Sequence, residues 1–439
     1  MTAQPGEIAP DERPVNVKAA IDKMEALLGG HMAAYLDACV HCGQCAQACH
    51  FHEATQNPRY TPALKLQPMT RVYRRNMAPF SGLRKALGMA PEITEADLRD
   101  WEPLIFDTCT MCGRCTIVCP MAIDIASVVA ATRQAFVAAG LGPPDLLQAA
   151  DNARDKGSPL GVTPEVLEDR VEWLADDNEV EIALDKDKAD VLLTVSSIEM
   201  MKYPDSVVAM AKLLNGAGVD WTLSSKGYEA TNFGVLSGKG DVARIMVERI
   251  AAGAEAVGAK TVVVPECGHA YGVLRWSGAN LLGRELPFEV LHITEYLAAL
   301  KRQGKLKFKP YDAQAVTYHD PCQISRRGGA TADARYLLEG FATDFREMTP
   351  TGNYNWCCGG GGGVQAMGSA ADVRHEVFRI KMAQVEATGA PALVSACANC
   401  RLTMDESKKA LAWDKELLSI VELLADNLDN PASDTPATD

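Results

Sequence analysis

The sequence has no long hydrophobic run, few aromatic side chains and fewer basic than acidic residues. Its 439 residues include 6% aromatics and carry a net charge of −14 at pH 7. No stretch approaches the ~18–20 consecutive apolar residues of a membrane-spanning helix. The N-terminus shows neither the apolar core of a secretory signal nor a twin-arginine pair. We therefore expect a cytoplasmic protein of about three domains, and its acidity disfavours nucleic acid as a partner.

Loops that bind nucleotide phosphates are also missing. The segment GVLSGKG at 234–240 is one residue shorter than a phosphate-binding loop and has no Ser or Thr after its lysine. The five glycines at 359–363 do not complete a G-x-G-x-x-G pattern, because Val364 stands at the last position. We therefore expect neither NAD nor flavin on this chain.

Cysteine, in contrast, is abundant, with fourteen residues. In a reducing compartment, clustered thiols usually bind metal or perform redox chemistry. Two groups share the spacing C-x2-C-x2-C-x3-C, which is typical of paired [4Fe–4S] clusters in which the fourth cysteine ligates the neighbouring cluster. The predicted ligands of the first cluster, site A, are Cys39, Cys42, Cys45 and Cys119. Those of the second, site B, are Cys109, Cys112, Cys115 and Cys49.

Zinc is the alternative occupant, because paired C-x2-C thiolates also form its structural sites. Zinc does not need the third and fourth cysteines of this spacing, so two complete copies favour iron–sulfur clusters. One departure between the copies is His50, which stands where the second copy has Pro120. We interpret it as a tolerated turn substitution rather than as an imidazole ligand.

A third group of cysteines lies in the C-terminal part of the chain: Cys322, Cys357, Cys358, Cys397 and Cys400. Adjacent cysteines do not easily form an unstrained disulfide with each other, so the pair at 357–358 needs another purpose. Five thiolates can hold more iron than a plain cubane uses. The glycines at 359–363 permit a close approach to a bulky inorganic ligand, and a flexible hinge is their alternative role.

Two kinds of apolar spacing divide the chain. Residues 16–140 follow a helical pattern, with helices at 17–28, 64–75 and 123–139. Further along, short β-branched runs alternate with helices such as 241–259 and 372–388, as in an α/β fold with buried parallel strands. The predicted strands are 191–195, 261–264, 315–318 and 392–395.

The predicted fold class is therefore α + α/β, an N-terminal all-helical two-cluster ferredoxin module followed by a duplicated α/β domain. The predicted segments are a flexible N-terminus (1–15), the helical module (16–140), an acidic helical connector (141–188), a first α/β half (189–310), a second α/β half (311–426) and a disordered tail (427–439).

The duplication rests on an internal match. Residues 372–397 match 241–267, and a gapped extension places 232–234 opposite 357–359. The first half has therefore lost the cysteine pair and the counterpart of Cys400, which leaves a vacated cluster site. Cys267 is either a relic or an ordinary buried thiol without a function, or it acts with His269 as a ligand, proton donor or thiol near the third cluster. The sequence leaves these alternatives open.

The spacing Cys322-x34-Cys357-Cys358-Gly359-x37-Cys397-x2-Cys400 resembles the cysteine-rich CCG domain of heterodisulfide reductases. With two ferredoxin motifs ahead of it, the chain resembles the D subunit of membrane-linked heterodisulfide reductase. It is more similar still to the DsrK-type subunit of sulfur-metabolism membrane complexes, through Cys39-Val-His-Cys-Gly-Gln-Cys, Thr110-Met-Cys-Gly-Arg-Cys and Glu266-Cys-Gly-His.

This resemblance implies a catalytic, CCG-bound [4Fe–4S] centre of cubane or unusual form, with Cys322, Cys357, Cys358, Cys397 and Cys400 as its ligands. The centre would react with a disulfide or persulfide one electron at a time, with sites A and B supplying electrons. The implied partners are a membrane cytochrome b-type, quinone-reactive subunit and a sulfur-carrier protein or small disulfide. The implied location is peripheral, on the cytoplasmic face of the inner membrane.

Iron–sulfur subunits of glycolate, lactate and anaerobic glycerol-3-phosphate dehydrogenases look similar too. They imply the alternative function, a non-catalytic electron relay for a flavin-dependent hydroxy-acid dehydrogenase. Those subunits usually keep cysteines in both halves, so the vacated first site favours the disulfide reductase.

A basic stretch lies between the two cluster motifs. Residues 50–91 contain seven basic residues and one acid, Glu53. Such a patch suits docking onto a membrane partner or an anionic lipid surface, and a solvated helical face is the alternative. The basic residues are Arg59, Lys65, Arg71, Arg74, Arg75, Arg84 and Lys85.

Overall fold

The computed structural model describes residues 13–429. Most of the predicted N-terminal segment and tail lies outside these residues. Residues 427–429, assigned above to the tail, are described, and the backbone amide of Asp429 donates to the carbonyl of Lys307 (2.8 Å). No helix between residues 13 and 429 is long and apolar enough to cross a membrane.

Residues 16–140 are described throughout and contain helices but no strand, as the spacing predicts. Polar caps start several of these helices: the Asn16 side chain accepts from the amide of Ala19, and Asp124 accepts from that of Ser127. Each cap satisfies an amide that has no partner within its helix. The helices are α1 (Val17–Leu27), α2 (Gly30–Ala38), α3 (Gln44–Ala48), α4 (His50–Thr55), α5 (Gln67–Val72), α6 (Ser81–Ala86), α7 (Glu95–Phe106), α8 (Arg114–Ile117) and α9 (Ile125–Ala138).

The predicted helix at 64–75 is not a single α-helix. It comprises a 3₁₀ turn (Pro62–Leu66), α5 and a π-helical turn (Tyr73–Met77). Pro62 and Pro68 each stand in the first turn of their segment, where a missing amide hydrogen costs nothing. The 3.6-residue spacing predicts this helical run but not its division.

Two helices lie in the segment 141–188, the predicted connector. They are α10 (Pro144–Lys156) and α11 (Pro164–Asp177). The Thr163 hydroxyl caps α11 by accepting from the amide of Val166, and proline follows at the first helical position.

The C-terminal part contains two parallel sheets. The first has the strand order β2-β1-β3-β4 and the second β5-β6-β7, with every pairing parallel. The strands are β1 (Val191–Leu193), β2 (Trp221–Thr222), β3 (Thr261–Val264), β4 (Glu289–His292), β5 (Val316–His319), β6 (Ala392–Ser395) and β7 (Glu416–Ser419). The helices are α12 (Ser197–Lys202), α13 (Pro204–Gly216), α14 (Phe233–Ser237), α15 (Gly240–Val257), α16 (Gly268–Gly272), α17 (Gly278–Leu282), α18 (Ile293–Arg302), α19 (Ala332–Leu338), α20 (Ala371–Thr388), α21 (Ala398–Ala410) and α22 (Ile420–Asp426).

The mixed helical and parallel α/β architecture is thus confirmed. The predicted strands at 261–264 and 392–395 coincide with β3 and β6, which lie inside their sheets. The pattern misses β2, β4 and β7, which lie at sheet edges. β2 has only two residues, and β4 and β7 each begin with an exposed glutamate, so none forms a continuous apolar run.

Candidate iron–sulfur sites and a cysteine-lined cavity

The eight N-terminal cysteines gather around two cavities. Cys39, Cys42, Cys45 and Cys119 line the first, and Cys49, Cys109, Cys112 and Cys115 line the second. The fourth cysteine of each motif therefore lies with the first three of the other, in the arrangement predicted for sites A and B. All fourteen cysteines are free thiols, which suits ligation of iron rather than disulfide bonding.

Site A lies at the surface. Cys42 is exposed and Cys39 partly exposed. Apolar side chains surround them: Val40 is 74% exposed and Met121 53%, and both line the cavity. An electron carrier could therefore approach site A closely from outside.

Site B lies deeper and next to a buried cation. Lys65 is 2% exposed, and its ammonium group donates to the carbonyl of Thr108. Its positive charge acts on the thiols of Cys49 and Cys115, whose pKa values burial raises. Lys65 would offset part of the negative charge of four thiolates and a cluster.

His50 begins α4 and is buried at the edge of site B. Its Nε2 lies 3.4 Å from the hydroxyl of Thr110. His50 therefore lies beside the cysteines of site B, and this contact does not make it a ligand.

The five C-terminal cysteines are buried together at the third site. The Sγ atoms of Cys322 and Cys357 lie 3.9 Å apart, and those of Cys358 and Cys400 lie 3.3 Å apart. Cys322 follows β5, and Cys397 caps α21 just after β6. Because both strands are parallel, their carboxyl ends bring these thiols to one edge of the sheet.

The thiols at this site influence one another. Hydrogen bonds with Cys112 and Cys322 lower the pKa of Cys357. Hydrogen bonds with Cys357 and Cys400 lower the pKa of Cys358 well below its ordinary value. A lower pKa favours the thiolate, which is the form that binds metal. The thiol of Cys357 also donates to the hydroxyl of Thr110 (3.6 Å), which follows Cys109 and joins site B to the third site.

The glycine run packs tightly and is not a flexible hinge. A Cβ atom on Gly360 would lie 1.8 Å from the hydroxyl oxygen of Thr403, and one on Gly362 would lie 2.8 Å from the carbonyl oxygen of Cys109. Gly362 also has a φ of +63°, a conformation that favours glycine. The run therefore lets the backbone beside the cysteine pair lie directly against residues 109–113, the loop of site B.

A buried arginine that sequence reasoning missed holds the same contact. Arg133 is 0% exposed. Its guanidinium donates to five backbone carbonyls, those of Ile105, Phe106, Cys109, Leu236 and Gly362. A single arginine in the apolar helix α9 was the available signal, because such a charge is buried only with partners.

The turn after Cys322 also docks onto the site B loop. Gln323 donates to the carbonyl of Met111 (2.9 Å), and Arg326 donates to that of Cys112 (2.9 Å). Arg327 forms an ion pair with Asp124, the cap of α9 (3.0 Å). Polar contacts through Arg133 and through the turn after Cys322 therefore join site B to the third site.

A cavity of about 230 Å³ opens beside the third site. Cys322, Cys358, Cys397 and Cys400 line it, together with the apolar side chains of Leu160, Ile198, Phe233, Leu236 and Leu402. Cys267 and His269 line it as well. The structure therefore brings these two residues to the third site, which the sequence left open.

Both residues are held uncharged. Burial raises the pKa of the Cys267 thiol, which also lies 3.7 Å from the hydroxyl of Thr231. Burial lowers the pKa of His269 to about 4, and its Nε2 has no hydrogen-bond partner within residues 13–429. A neutral thiol and a neutral imidazole therefore face the cavity.

Two domain families match the chain at these sites. The family described as 4Fe-4S dicluster domain matches residues 35–123, which hold sites A and B. The family described as Cysteine-rich domain, CCG, matches residues 316–405, which hold the third site. The protein therefore combines an iron–sulfur dicluster domain with a CCG domain.

Its relatives are heterodisulfide reductase D subunits and Hdr-like iron–sulfur subunits. The D subunit of dihydromethanophenazine:CoB–CoM heterodisulfide reductase from Methanosarcina barkeri is 29% identical over 90% of this chain and 94% of its own length. The Hdr-like menaquinol oxidoreductase iron-sulfur subunit 2 of Archaeoglobus fulgidus is 26% identical over 76% of this chain and 68% of its own. The EtfAB:quinone oxidoreductase of Syntrophomonas wolfei is 27% identical over 75% of this chain and 48% of its own.

These findings support an iron–sulfur oxidoreductase with an electron-transfer role. The relatives are subunits of larger oxidoreductases, which indicates that this chain also works within a protein complex.

Proposed function

We propose that this protein moves electrons between a membrane quinone or cytochrome b partner and a disulfide or persulfide substrate. The thirteen cysteines of site A, site B and the third site would ligate three iron–sulfur clusters. Substrate would react in the cavity beside the third site. The substrate would be a small heterodisulfide or a disulfide or persulfide on a sulfur-carrier protein.

The order of the three sites is the observation that carries this proposal. Site A is open to solvent at Cys42, and site B includes the buried Cys49 and Cys112. Cys357 of the buried third site donates to the hydroxyl of Thr110, next to Cys109 of site B (3.6 Å). Electrons entering at the surface would therefore pass inward to a cavity large enough for a small ligand.

The chemistry of the cavity suits a disulfide. Reduction of R–S–S–R to two thiols takes up two electrons and two protons, and a bound iron–sulfur cluster would supply the electrons singly. The apolar lining from Phe233, Leu236 and Leu402 would exclude water and hold the carbon skeleton of the substrate. Cys267 and His269 would lie beside the reacting sulfurs.

We also propose that the two α/β halves are a duplication with one vacated site. Cys267 and Cys397 cap equivalent helices, α16 and α21, after the equivalent strands β3 and β6. The amide of Ala398 donates to the carbonyl of Glu266 (2.6 Å), so the two equivalent turns meet. A duplication explains why one half alone keeps a full set of thiols.

The membrane partner would be a cytochrome b-type subunit, with this chain peripheral on the cytoplasmic face of the inner membrane. The relative from Archaeoglobus fulgidus is described as a menaquinol oxidoreductase subunit, and the relative from Methanosarcina barkeri as a subunit of a dihydromethanophenazine:CoB–CoM heterodisulfide reductase. The menaquinol in the first description supports a quinone at one end of the chain of clusters.

An electron relay without a substrate of its own is the second candidate, favoured by the similarity to the EtfAB:quinone oxidoreductase. The two functions differ at the third site, because a relay needs no cavity there.

Electron paramagnetic resonance of the oxidised protein tests the proposal. Adding a thiol or a persulfide carrier should produce a new paramagnetic signal, and Cys357→Ser should abolish it while the signals of reduced sites A and B remain. Cys42→Ser is the matched control, since it should alter site A and leave the substrate-dependent signal. No response to any thiol or persulfide would contradict the disulfide reductase and leave the relay.

A further inference from the structure

A histidine without a partner lies among the thiols of the third site. His319 is the last residue of β5 and is 0% exposed. Neither of its ring nitrogens has a hydrogen-bond partner within residues 13–429. Buried polar atoms are normally satisfied, because leaving one unpaired costs free energy. The position therefore needs a partner that the polypeptide does not supply.

Two thiols stand next to this imidazole. A ring nitrogen of His319 and the Sγ atoms of Cys358 and Cys400 all lie within 4.8 Å of one another. Ligands held about 2.0–2.3 Å from one metal ion lie at most about 4.6 Å apart, so a small movement brings all three to one ion.

We propose that His319 supplies a nitrogen ligand to the iron of the third centre, beside Cys358 and Cys400. This inference rests on the proposed function, in which the third site holds an iron–sulfur cluster. A neutral imidazole adds less negative charge than a thiolate, so it raises the reduction potential of a centre. The third centre would then accept electrons from site B more readily than an all-thiolate centre in the same cavity.

Pulsed electron paramagnetic resonance of protein labelled with ¹⁵N-histidine tests this assignment. The signal of the third centre should show a strong nitrogen coupling that changes with the label and disappears in His319→Ala. His269→Ala is the matched control, because His269 also lines the cavity with an unpartnered nitrogen, and the coupling should survive there. His319→Cys should keep the iron and lower the midpoint potential of the third centre.

The outcomes separate this proposal from the function on which it rests. A third-centre signal without strong nitrogen coupling in the wild type overturns the ligand role and leaves the third cluster intact. The ligand role is likewise overturned if the coupling is lost in His269→Ala and kept in His319→Ala. With four irons per cubane, a wild-type content of about eight iron atoms, with no third signal, removes the cluster itself.

A second inference concerns exposed apolar side chains close to site A. Five of them lie in the segment 77–89: Met77 (44% exposed), Phe80 (78%), Leu83 (58%), Leu87 (63%) and Met89 (70%). The segment is held in place beside site A. Tyr73 donates to Asp37 (2.6 Å), two residues before Cys39, and Asn76 donates to Glu25 in α1 (2.6 Å).

The two charged residues within segment 77–89, Arg84 and Lys85, are both basic. Of the seven basic residues predicted as a patch, three pair with acids: Arg59 with Asp100, Arg71 with Asp97 and Arg75 with Glu92. Lys65 is buried at site B. Arg74, Arg84 and Lys85 form no ion pair among the described residues, and no acidic residue occurs from 54 to 91. Exposed Phe, Leu and Met side chains with Arg and Lys around them are typical of segments that lie in a membrane interface.

We infer that segment 77–89 binds the surface of an anionic lipid bilayer and thereby turns site A towards the membrane. Co-sedimentation of the full chain with phosphatidylcholine vesicles, with and without phosphatidylglycerol, tests this inference. Binding should require the anionic lipid. Arg84→Gln with Lys85→Gln should weaken it about 25-fold, since each charge near such a surface contributes about a fivefold factor.

Phe80→Ser with Leu87→Ser should also weaken binding, whereas the control Trp276→Ser, an exposed aromatic residue outside the segment (58%), should not. Equal binding to neutral vesicles, or no binding to anionic ones, overturns the inference. If the wild type binds no vesicles but binds an isolated membrane subunit, and Phe80→Ser with Leu87→Ser abolishes that binding, the segment belongs to a protein interface instead.

Discussion

Replacing Gly362 with alanine should push the glycine run away from the loop of site B. The added Cβ atom would lie 2.8 Å from the carbonyl oxygen of Cys109 and 2.8 Å from the carbonyl carbon of Thr110. The φ of +63° at this position adds a conformational penalty of about 1–2 kcal/mol for an L-residue. Overpacking adds about 1–3 kcal/mol, so the free energy of unfolding should fall by about 2–5 kcal/mol.

Gly329→Ala is the matched control for this substitution. Gly329 has a φ of +83°, but a Cβ atom there would have no neighbour within 4 Å. The free energy of unfolding of Gly329→Ala should fall only by the conformational penalty of about 1–2 kcal/mol. Denaturant unfolding of both anaerobic proteins, followed by circular dichroism, measures the difference. Equal destabilisation of the two variants would refute the close packing of the glycine run against site B.

Three further predictions follow from the buried charges. Arg133→Met leaves carbonyls such as those of Cys109 and Gly362 without their donor. At about 1–3 kcal/mol per unsatisfied buried group, the free energy of unfolding should fall by several kcal/mol. An unchanged denaturation midpoint would show that water replaces the guanidinium. Lys65→Met removes the cation beside Cys49 and Cys115, so an EPR redox titration should show a lower reduction potential at site B and an unchanged one at site A. Lys65→Arg is the control, because it keeps the positive charge. Equal shifts at both sites would disprove a local effect. Burial opposes ionisation of Asp124, but hydrogen bonding to Arg327 lowers its pKa below the usual 3.8. The contribution of Asp124 to stability is therefore present above about pH 4 and is lost as the pH falls through the folded-state pKa. Asp124→Asn should unfold with a weaker pH dependence below pH 4, and identical acid-unfolding profiles of variant and wild type would contradict the pairing.

The sequence carried the local information about the clusters. The spacing within each cysteine motif predicts that Cys119 belongs with site A and Cys49 with site B, and the structure places each beside the other three cysteines of that site. Buried parallel strands such as β3 and β6 were visible because both of their faces are apolar.

Information about distant contacts was not accessible in the same way. The role of the glycine run depends on the loop of site B, which is over two hundred residues away in the chain. The same is true of the ion pair between Asp124 and Arg327 and of the position of Cys267. The basic stretch shows the opposite limit: sequence gives its charges, but only the structure shows that Arg59, Arg71 and Arg75 are paired with acids.

The central claim is that a third iron–sulfur cluster occupies the cavity lined by the CCG cysteines. Iron determination on the anaerobically purified full chain tests it most directly. With four irons per cubane, the wild type should hold about twelve iron atoms, and Cys358→Ser should hold about eight while keeping the signals of sites A and B. About eight iron atoms in both proteins would contradict the account.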